Sequence, residues 1–324
     1  MAKINYKMIK EIKEQPQVME KIINKHIKGS EIVFDEFKKM ARDLKKIKRF
    51  IFLGCGSSFH SAVYGNLVFE EITGLNCEVD FADEFNKRNP VVETQTVVIV
   101  LSQSGETKEV IKAIKTAKQK KTFVIGITNN KKSKIAKLVD VHIDQEAGKE
   151  VAVPATKTFS SQLLILFLLA LFIRQDVKRG LKIINDVKKI PALIKKSLTD
   201  EKVIKKLAIE IKNKHKFIIL GHKYNYPLAL EGALKLKEAA NVFAEGITTV
   251  EFDHGPKALL NKVELIKIDK RILEINKKKI ITPFAPEAIL PIVSVIPLQL
   301  LAFNLAIQKG INVDKPQNIK KIVK

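Results

Sequence analysis

The residues best suited to chemistry stand in three places along the chain. The first is Ser102-Gln103-Ser104-Gly105-Glu106-Thr107. It follows the apolar, β-branched run 97–101, which reads as a buried strand, and precedes a Lys-rich stretch with Val110, Ile111, Ile114 and Ala117 at helical spacing. Hydroxyls, an amide and a glycine therefore meet where a strand ends and a helix begins. A helix start presents unpaired N–H groups and a partial positive charge. Ser102, Ser104 and Thr107 add hydroxyl donors there, and Gly105 lets the backbone come close. That chemistry suits a phosphate held without arginine or metal. One hydroxyl would be read as a plain N-cap. Three, interleaved with Gln and Gly, favour an anion site.

The second place is the segment 226–240. Glu238 shares a helix face with Lys235, and Glu231 lies one turn further back. On residue types alone this is either a solvated Glu–Lys ladder or a carboxylate tuned by a lysine. Beyond it, Asp253-His254-Gly255-Pro256 is a rigid turn carrying an imidazole, which is either structural or an acid–base group. The third place is the Lys-rich tail with Lys320 and Lys321, where a solvated charge run is the plain reading.

These groups need a scaffold, and the apolar pattern supplies one. Strands are predicted at 48–53, 77–82, 96–101, 122–128 and 139–144, with helices between them, so the first sheet should be mostly parallel. Gly54-Cys55-Gly56-Ser57-Ser58 repeats the strand–glycine–hydroxyl–helix pattern, and its helix runs to about Gly74, a natural C′ residue. The third glycine of a dinucleotide fingerprint is missing, so Ser57 and Ser58 fit better as partners of the Ser102 loop. A second α/β half starts at His215. Arg49-Phe50-Ile51-Phe52-Leu53-Gly54 matches Lys216-Phe217-Ile218-Ile219-Leu220-Gly221 at an offset of 167 residues. The same offset carries Glu71 onto Glu238 and Glu84-Phe85 onto Glu251-Phe252. The chain thus reads as an internal duplication, with the second copy shortened by a strand–helix pair. The expected organisation is a helical lead-in over 1–47, a first α/β subdomain over 48–175, linking helices over 176–213, a shortened second subdomain over 214–310, and a tail over 311–324.

Composition narrows the partners. The formal net charge is +23 over 324 residues, but only six positive residues are Arg and there is no Trp. Nucleic-acid readers lean on Arg forks and stacking aromatics, so the charge is read as a solvated surface that also attracts anions. Cys55 and Cys77 match no metal or redox spacing, which points to a reduced, cytoplasmic setting. The apolar stretch 163–173 is too short to span a bilayer, and 289–307 is interrupted by Pro291, Pro297, Gln299 and Asn304. Both are expected to be buried helices, with neither a membrane nor a nucleic acid as partner.

Taken together, Cys55-Gly56-Ser57-Ser58, the Ser102–Thr107 loop, Ala155-Thr156-Lys157-Thr158-Phe159, the helix 229–238 and Asp253-His254-Gly255-Pro256 resemble the sugar-isomerase (SIS) family. Within it they are most similar to the isomerase half of the glutamine–fructose-6-phosphate amidotransferases, and the likeness starts at Lys10-Glu11-Ile12-Lys13-Glu14-Gln15-Pro16. The resemblance implies two tandem three-layer α/β/α subdomains. It implies a phosphate cradle at Ser58, Ser102, Gln103, Ser104 and Thr107, with Ser57 and Val153 near the sugar. Glu238 takes the role of the base that moves a proton between C1 and C2. His254 opens the ring and is shared across a homodimer, Lys235 assists, and Lys321 forms an imine with the open-chain ketose. Neither a metal nor a cofactor is implied.

There are departures from the family pattern. No glutaminase segment stands in this sequence, so use of glutamine would require a separate glutaminase partner. Pro154-Ala155 replaces the usual Ala-Ser, and Lys320 adjoins the imine lysine. The expected reaction is glucosamine 6-phosphate plus water giving fructose 6-phosphate plus ammonia. The alternatives are ammonia-dependent synthesis in reverse, an isomerase or deglycase acting on another sugar phosphate, and a non-catalytic sugar-phosphate sensor.

Overall fold

The run Thr96–Ser102 is buried at all seven positions. A strand covered on both faces has no need to alternate. In the computed structural model, which describes residues 6–38, 46–174 and 177–321, this run is the middle strand of a parallel sheet. Counting from a short hairpin of β1 (Ile27–Lys28) and β2 (Glu31–Ile32), the sheet contains β3 (Arg49–Gly54), β4 (Asn76–Phe81), β5 (Thr96–Ser102), β6 (Phe123–Thr128) and β7 (Val141–Asp144). Their order is β4-β3-β5-β6-β7, and every pairing is parallel. The order reverses between β3 and β5, so the loops after these two strands diverge and leave a crevice at their carboxyl ends. Below it, Val110, Ala113, Ile114 and Ala117 of the helix Lys108–Gln119 pack on Ile51, Leu53, Val98, Val100 and Val124.

The second sheet contains β8 (Lys216–Gly221), β9 (Phe243–Thr248), β10 (Glu264–Asp269), β11 (Ile272–Ile275) and β12 (Lys278–Ile281), ordered β12-β11-β10-β8-β9. The 167-residue offset carries β3, β4 and β5 onto β8, β9 and β10, in the same spatial order. Packing details repeat as well. A Cβ on Gly65 would sit 3.1 Å from the Phe52 ring, and one on Gly232 would sit 3.0 Å from Ile219. One expectation needs correction: the second sheet is mixed and keeps five strands. The missing strand–helix pair is replaced by the hairpin β11–β12, antiparallel to β10. Lys270, Asn276 and Lys277 take positive φ at its two turns, which are too short for a crossover helix.

A second correction concerns residues 1–47. Helices Lys7–Lys13 and Gln15–His26 form as expected, but 27–32 is a hairpin. Gly29 at φ +62° turns the chain back, and Val33 N–H closes on the His26 carbonyl at 2.8 Å. Residues 1–5 and 39–45 of this stretch, 175–176, and 322–324 of the tail lie outside the described residues.

Contacts divide the chain into two units. One holds 18–38, 46–149, 161–174 and 177–188, and the other holds 6–17, 150–160 and 189–321. The helices Lys157–Arg174 and Leu290–Gln308 are long and apolar enough to cross a membrane, but 78% and 94% of their apolar windows are buried inside the fold.

Candidate functional site

The loop after β5 does not cap its helix. Thr107 occupies the N-cap position and makes no side-chain cap bond; its Oγ1 instead lies 2.9 Å from Ser102 Oγ. Ser102 Oγ also accepts Gly105 N–H at 3.1 Å, and Ser104 Oγ accepts Glu106 N–H at 3.1 Å. The loop is thus tied to itself, which fixes its shape before any ligand arrives. Gly105 is obligatory: it sits at φ +68°, and a Cβ there would come within 2.1 Å of Ser133 Oγ. Its carbonyl accepts Ile135 N–H at 3.1 Å, locking the loop onto the next turn. The one acid in the loop, Glu106, is drawn aside by Lys134, whose N–H donates to it at 3.0 Å and whose Nζ lies 3.5 Å away. The Glu106 charge is thus paired at the edge of the loop.

Across the strand reversal, β3 ends at Gly54, where a Cβ would come within 2.6 Å of the Ser58 backbone. This close approach brings Ser57 and Ser58 to the first turn of the helix Ser57–Thr73, on the neighbouring loop. Gln162, which is buried, donates from Nε2 to Ser58 Oγ at 3.1 Å. With that lone pair occupied, the Ser58 proton is free for an acceptor in the crevice. Gln103 and Ser104 are half-buried at the same edge. Backbone N–H groups and hydroxyls there suit a phosphate monoester.

The second copy carries different residues at these positions. The offset carries Ser58 onto Asn225, and the Ser102 loop onto the turn after β10. Asn225 is buried and donates from Nδ2 to the carbonyls of Lys270 at 3.1 Å and Ile268 at 3.5 Å. The side chain ties the start of the following helix to the end of β10.

The second copy carries titratable groups instead. Its helix Tyr226–Ala240 begins with Pro227 in the first turn and ends at Asn241 in the left-handed region. Lys235 and Glu231 on it are fully buried, with Lys235 Nζ 3.3 Å from Glu231 Oε1. Lys235 also bonds Glu238, which is half-buried. The corresponding residues of the first copy are Tyr64, Val68 and Glu71, so the buried pair is particular to the second. Burial works to lower the Lys235 pKa, but Glu231 and Glu238 outweigh it and the net direction is upward. A lysine so held favours its charged form and fixes the position of the Glu238 carboxylate.

In the same unit, Lys321 Nζ lies 2.6 Å from Oε2 of Glu150, a fully buried carboxylate. Thr156 N–H (2.9 Å) and Thr158 Oγ1 (2.8 Å) also donate to it. Burial alone would raise the Glu150 pKa, but Lys321 and these donors bring it down. Glu11 stands next to this pair and accepts Val151 N–H at 2.5 Å. Burial, reinforced by the Glu150 charge, raises its carboxyl from 4.5 to about 7.

The sign follows directly. Between about pH 4.5 and 7 folded Glu11 keeps a proton that the unfolded chain has released, so its contribution to stability is lost as pH rises through about 7. Glu11→Gln should leave the thermal midpoint unchanged at pH 4. At pH 8 it should raise stability by about 1–2 kcal/mol, a value reduced for solvent screening, or roughly 2–4 °C. An equal shift at both pH values in a calorimetric scan would refute this.

The expected site residues therefore form two groups. Ser57, Ser58, Ser102, Gln103, Ser104 and Thr107 gather in one unit. Val153, Lys235, Glu238, His254 and Lys321 belong to the other. His254 is exposed on the turn between the helix Thr249–Asp253 and the 3-10 segment Pro256–Lys262. No described hydrogen bond or ion pair links it to Lys235, Glu238 or Lys321. Glu150, Glu11 and Gln162 were not anticipated. Glu150 lies six and eight residues before the threonines it binds, outside the first-turn spacing by which acidic caps are recognised. The loop carries a second acid, Glu146, and a lysine, Lys149, so nothing in residue type singles Glu150 out.

Residues 43–172 match the SIS domain. The chain is similar to a glutamine–fructose-6-phosphate aminotransferase [isomerizing] from Chlorobaculum tepidum, 34% identical over 98% of this chain and 58% of the relative. One from Caldanaerobacter subterraneus is 35% identical with the same coverage. The chain therefore spans 58% of the length of these curated relatives. Among solved structures, it is similar to the C-terminal domain of glucosamine-fructose-6-phosphate aminotransferase from Francisella tularensis, with TM-score 0.89, 28% identity, and 97% and 99% of the two chains covered. It is also similar to glucosamine-6-phosphate deaminase from Thermotoga maritima, with TM-score 0.76, 27% identity, and 98% and 99% covered.

Proposed function

Given that the chain carries a SIS domain and is homologous to the isomerase portion of glutamine–fructose-6-phosphate aminotransferases, we propose that it is a phosphosugar isomerase and that it deaminates glucosamine 6-phosphate. The observation that carries this reading is the pairing, in one unit, of a lysine-held carboxylate with a carboxylate-held amine: Glu238 on Lys235, and Lys321 on Glu150.

The reaction would run as follows. The hydroxyl loops at Ser58 and Ser102–Thr107 hold the phosphate. His254 opens the ring. Glu238 takes the C2 proton of the open-chain amino sugar and returns it to C1, leaving an imine at C2. The Lys321 amine adds to that imine and expels ammonia, and water then releases fructose 6-phosphate and restores the lysine. The exposed turn around His254 presents Val250, Leu259 and Leu260 to solvent, which supports a homodimer in which this histidine serves the neighbouring copy.

A coupled assay tests the proposal. Purified protein should release one ammonia per fructose 6-phosphate formed from glucosamine 6-phosphate. Absence of both products overturns the deaminase reading. Net conversion of fructose 6-phosphate and ammonia under equal conditions would favour synthesis, which uses the same residues in reverse.

A further inference from the structure

The scheme above uses Lys321 but assigns nothing to the acid that holds it. Glu150 is fully buried, and all its contacts have a direction. Oε1 accepts Thr156 N–H at 2.9 Å, Thr156 Oγ1 at 3.3 Å and Thr158 N–H at 3.2 Å. Oε2 accepts Thr158 Oγ1 at 2.8 Å and Lys321 Nζ at 2.6 Å. Every contact but the last comes from the start of the helix Lys157–Arg174, so the carboxylate keeps its place whether or not the lysine is present. Thr156 is itself anchored: its carbonyl accepts Gln299 Nε2 at 3.3 Å, and Gln299 Oε1 accepts Gln15 Nε2 at 2.7 Å.

The partner is a segment of a different kind. After the helix Leu290–Gln308 the described tail forms only turns and coil. Asp314 fixes it once, accepting the N–H groups of Lys7 at 2.7 Å and Met8 at 2.9 Å. Lys321 is the next charged anchor, seven residues on. A long, flexible side chain on an irregular segment has high conformational entropy, and a fixed counter-ion is what would bring its amine to one position.

We propose that Glu150 is a positioning residue that seats the tail by docking the Lys321 amine, and that the same carboxylate serves as counter-ion through the imine stage. This rests on the reading of Lys321 given above. The charge balance supports it. An ammonium and a ketone carbonyl give a protonated imine and one water, so nitrogen carries one positive charge before and after. One fixed anion matches both states without rearrangement. A buried ion pair need not add net stability, so a positional role accounts for the arrangement better than stabilisation does. Glu11, the other carboxyl beside Lys321, is pushed up to about 7 and is a weaker competitor for the cation near neutrality.

The test uses the full chain with Glu150→Gln, Glu150→Asp and Lys321→Met. Two readouts are taken: amide hydrogen exchange of the peptide 312–321, and borohydride trapping of fructose 6-phosphate on Lys321, read by peptide mass. Glu150→Gln should speed tail exchange at least tenfold and lower trapping at least tenfold, and Glu150→Asp should recover part of both. Lys321→Met leaves the buried acid with its threonine donors and should speed tail exchange to the same extent. Adding Glu150→Gln to it should cause no further change. Unchanged tail exchange in Glu150→Gln or in Lys321→Met overturns the proposal, and so does reduced trapping with a fully protected tail. If the unaltered protein traps no sugar, the imine reading of Lys321 fails, while the exchange data alone still decide whether Glu150 seats the tail.

Discussion

Replacing Glu238 with Gln should lower turnover of glucosamine 6-phosphate by roughly two to four orders of magnitude, the range carried by one positioned acid–base group, while leaving its Kd within a few-fold. The substitution keeps the size and the hydrogen-bonding reach toward Lys235, and removes only the ability to accept a proton from carbon. The loops proposed to hold the phosphate lie on other elements, so ground-state binding should survive. Steady-state rates with calorimetric binding would separate the two, and a second check is loss of solvent-deuterium incorporation at C1. Near-normal turnover in Glu238→Gln would mean that another base moves the proton. Ser104→Ala supplies the contrast. It removes one donor to a dianion, about 1.5–3 kcal/mol, and should raise KM by roughly tenfold or more with kcat little changed.

Replacing Lys321 with Met should have an effect of similar size on a different step. Ammonia release should fall by about a hundredfold or more, since expulsion through the lysine amine is lost. Interconversion of glucose 6-phosphate and fructose 6-phosphate, which needs a proton shuttle but no amine, should persist. Truncation after Asn318 should behave in the same way. The comparison is made on one preparation with both substrates. Loss of both activities would assign the tail a structural role, and retention of both would exclude Lys321 from the chemistry.

Much of this protein was legible in its sequence because the signals were local. The continuous apolar run 97–101 reads as a buried strand, and the structure covers it on both faces. Gly54 and Gly221, at equivalent positions in the two copies, mark the sharp strand-to-helix turns that no larger residue allows. The constant offset exposed the duplication, and the hydroxyls clustered after β5 marked the strand–helix turn as the place to look for a site. The family likeness then added roles for Glu238, His254 and Lys321 that residue types alone left open.

What the sequence by itself determined was most of the strands and helices and their order, because strand, helix and turn preferences act over a few residues. Tertiary structure alone decided which polar groups are buried and what they face. It turned a plain Glu–Lys ladder into a sealed pair at Glu231 and Lys235, tied Asn225 to the turn after β10, and brought Lys321 onto Glu150 from 171 positions away. Burial and long-range pairing depend on packing between distant segments, and no local spacing encodes the cost of leaving a buried charge without its partner.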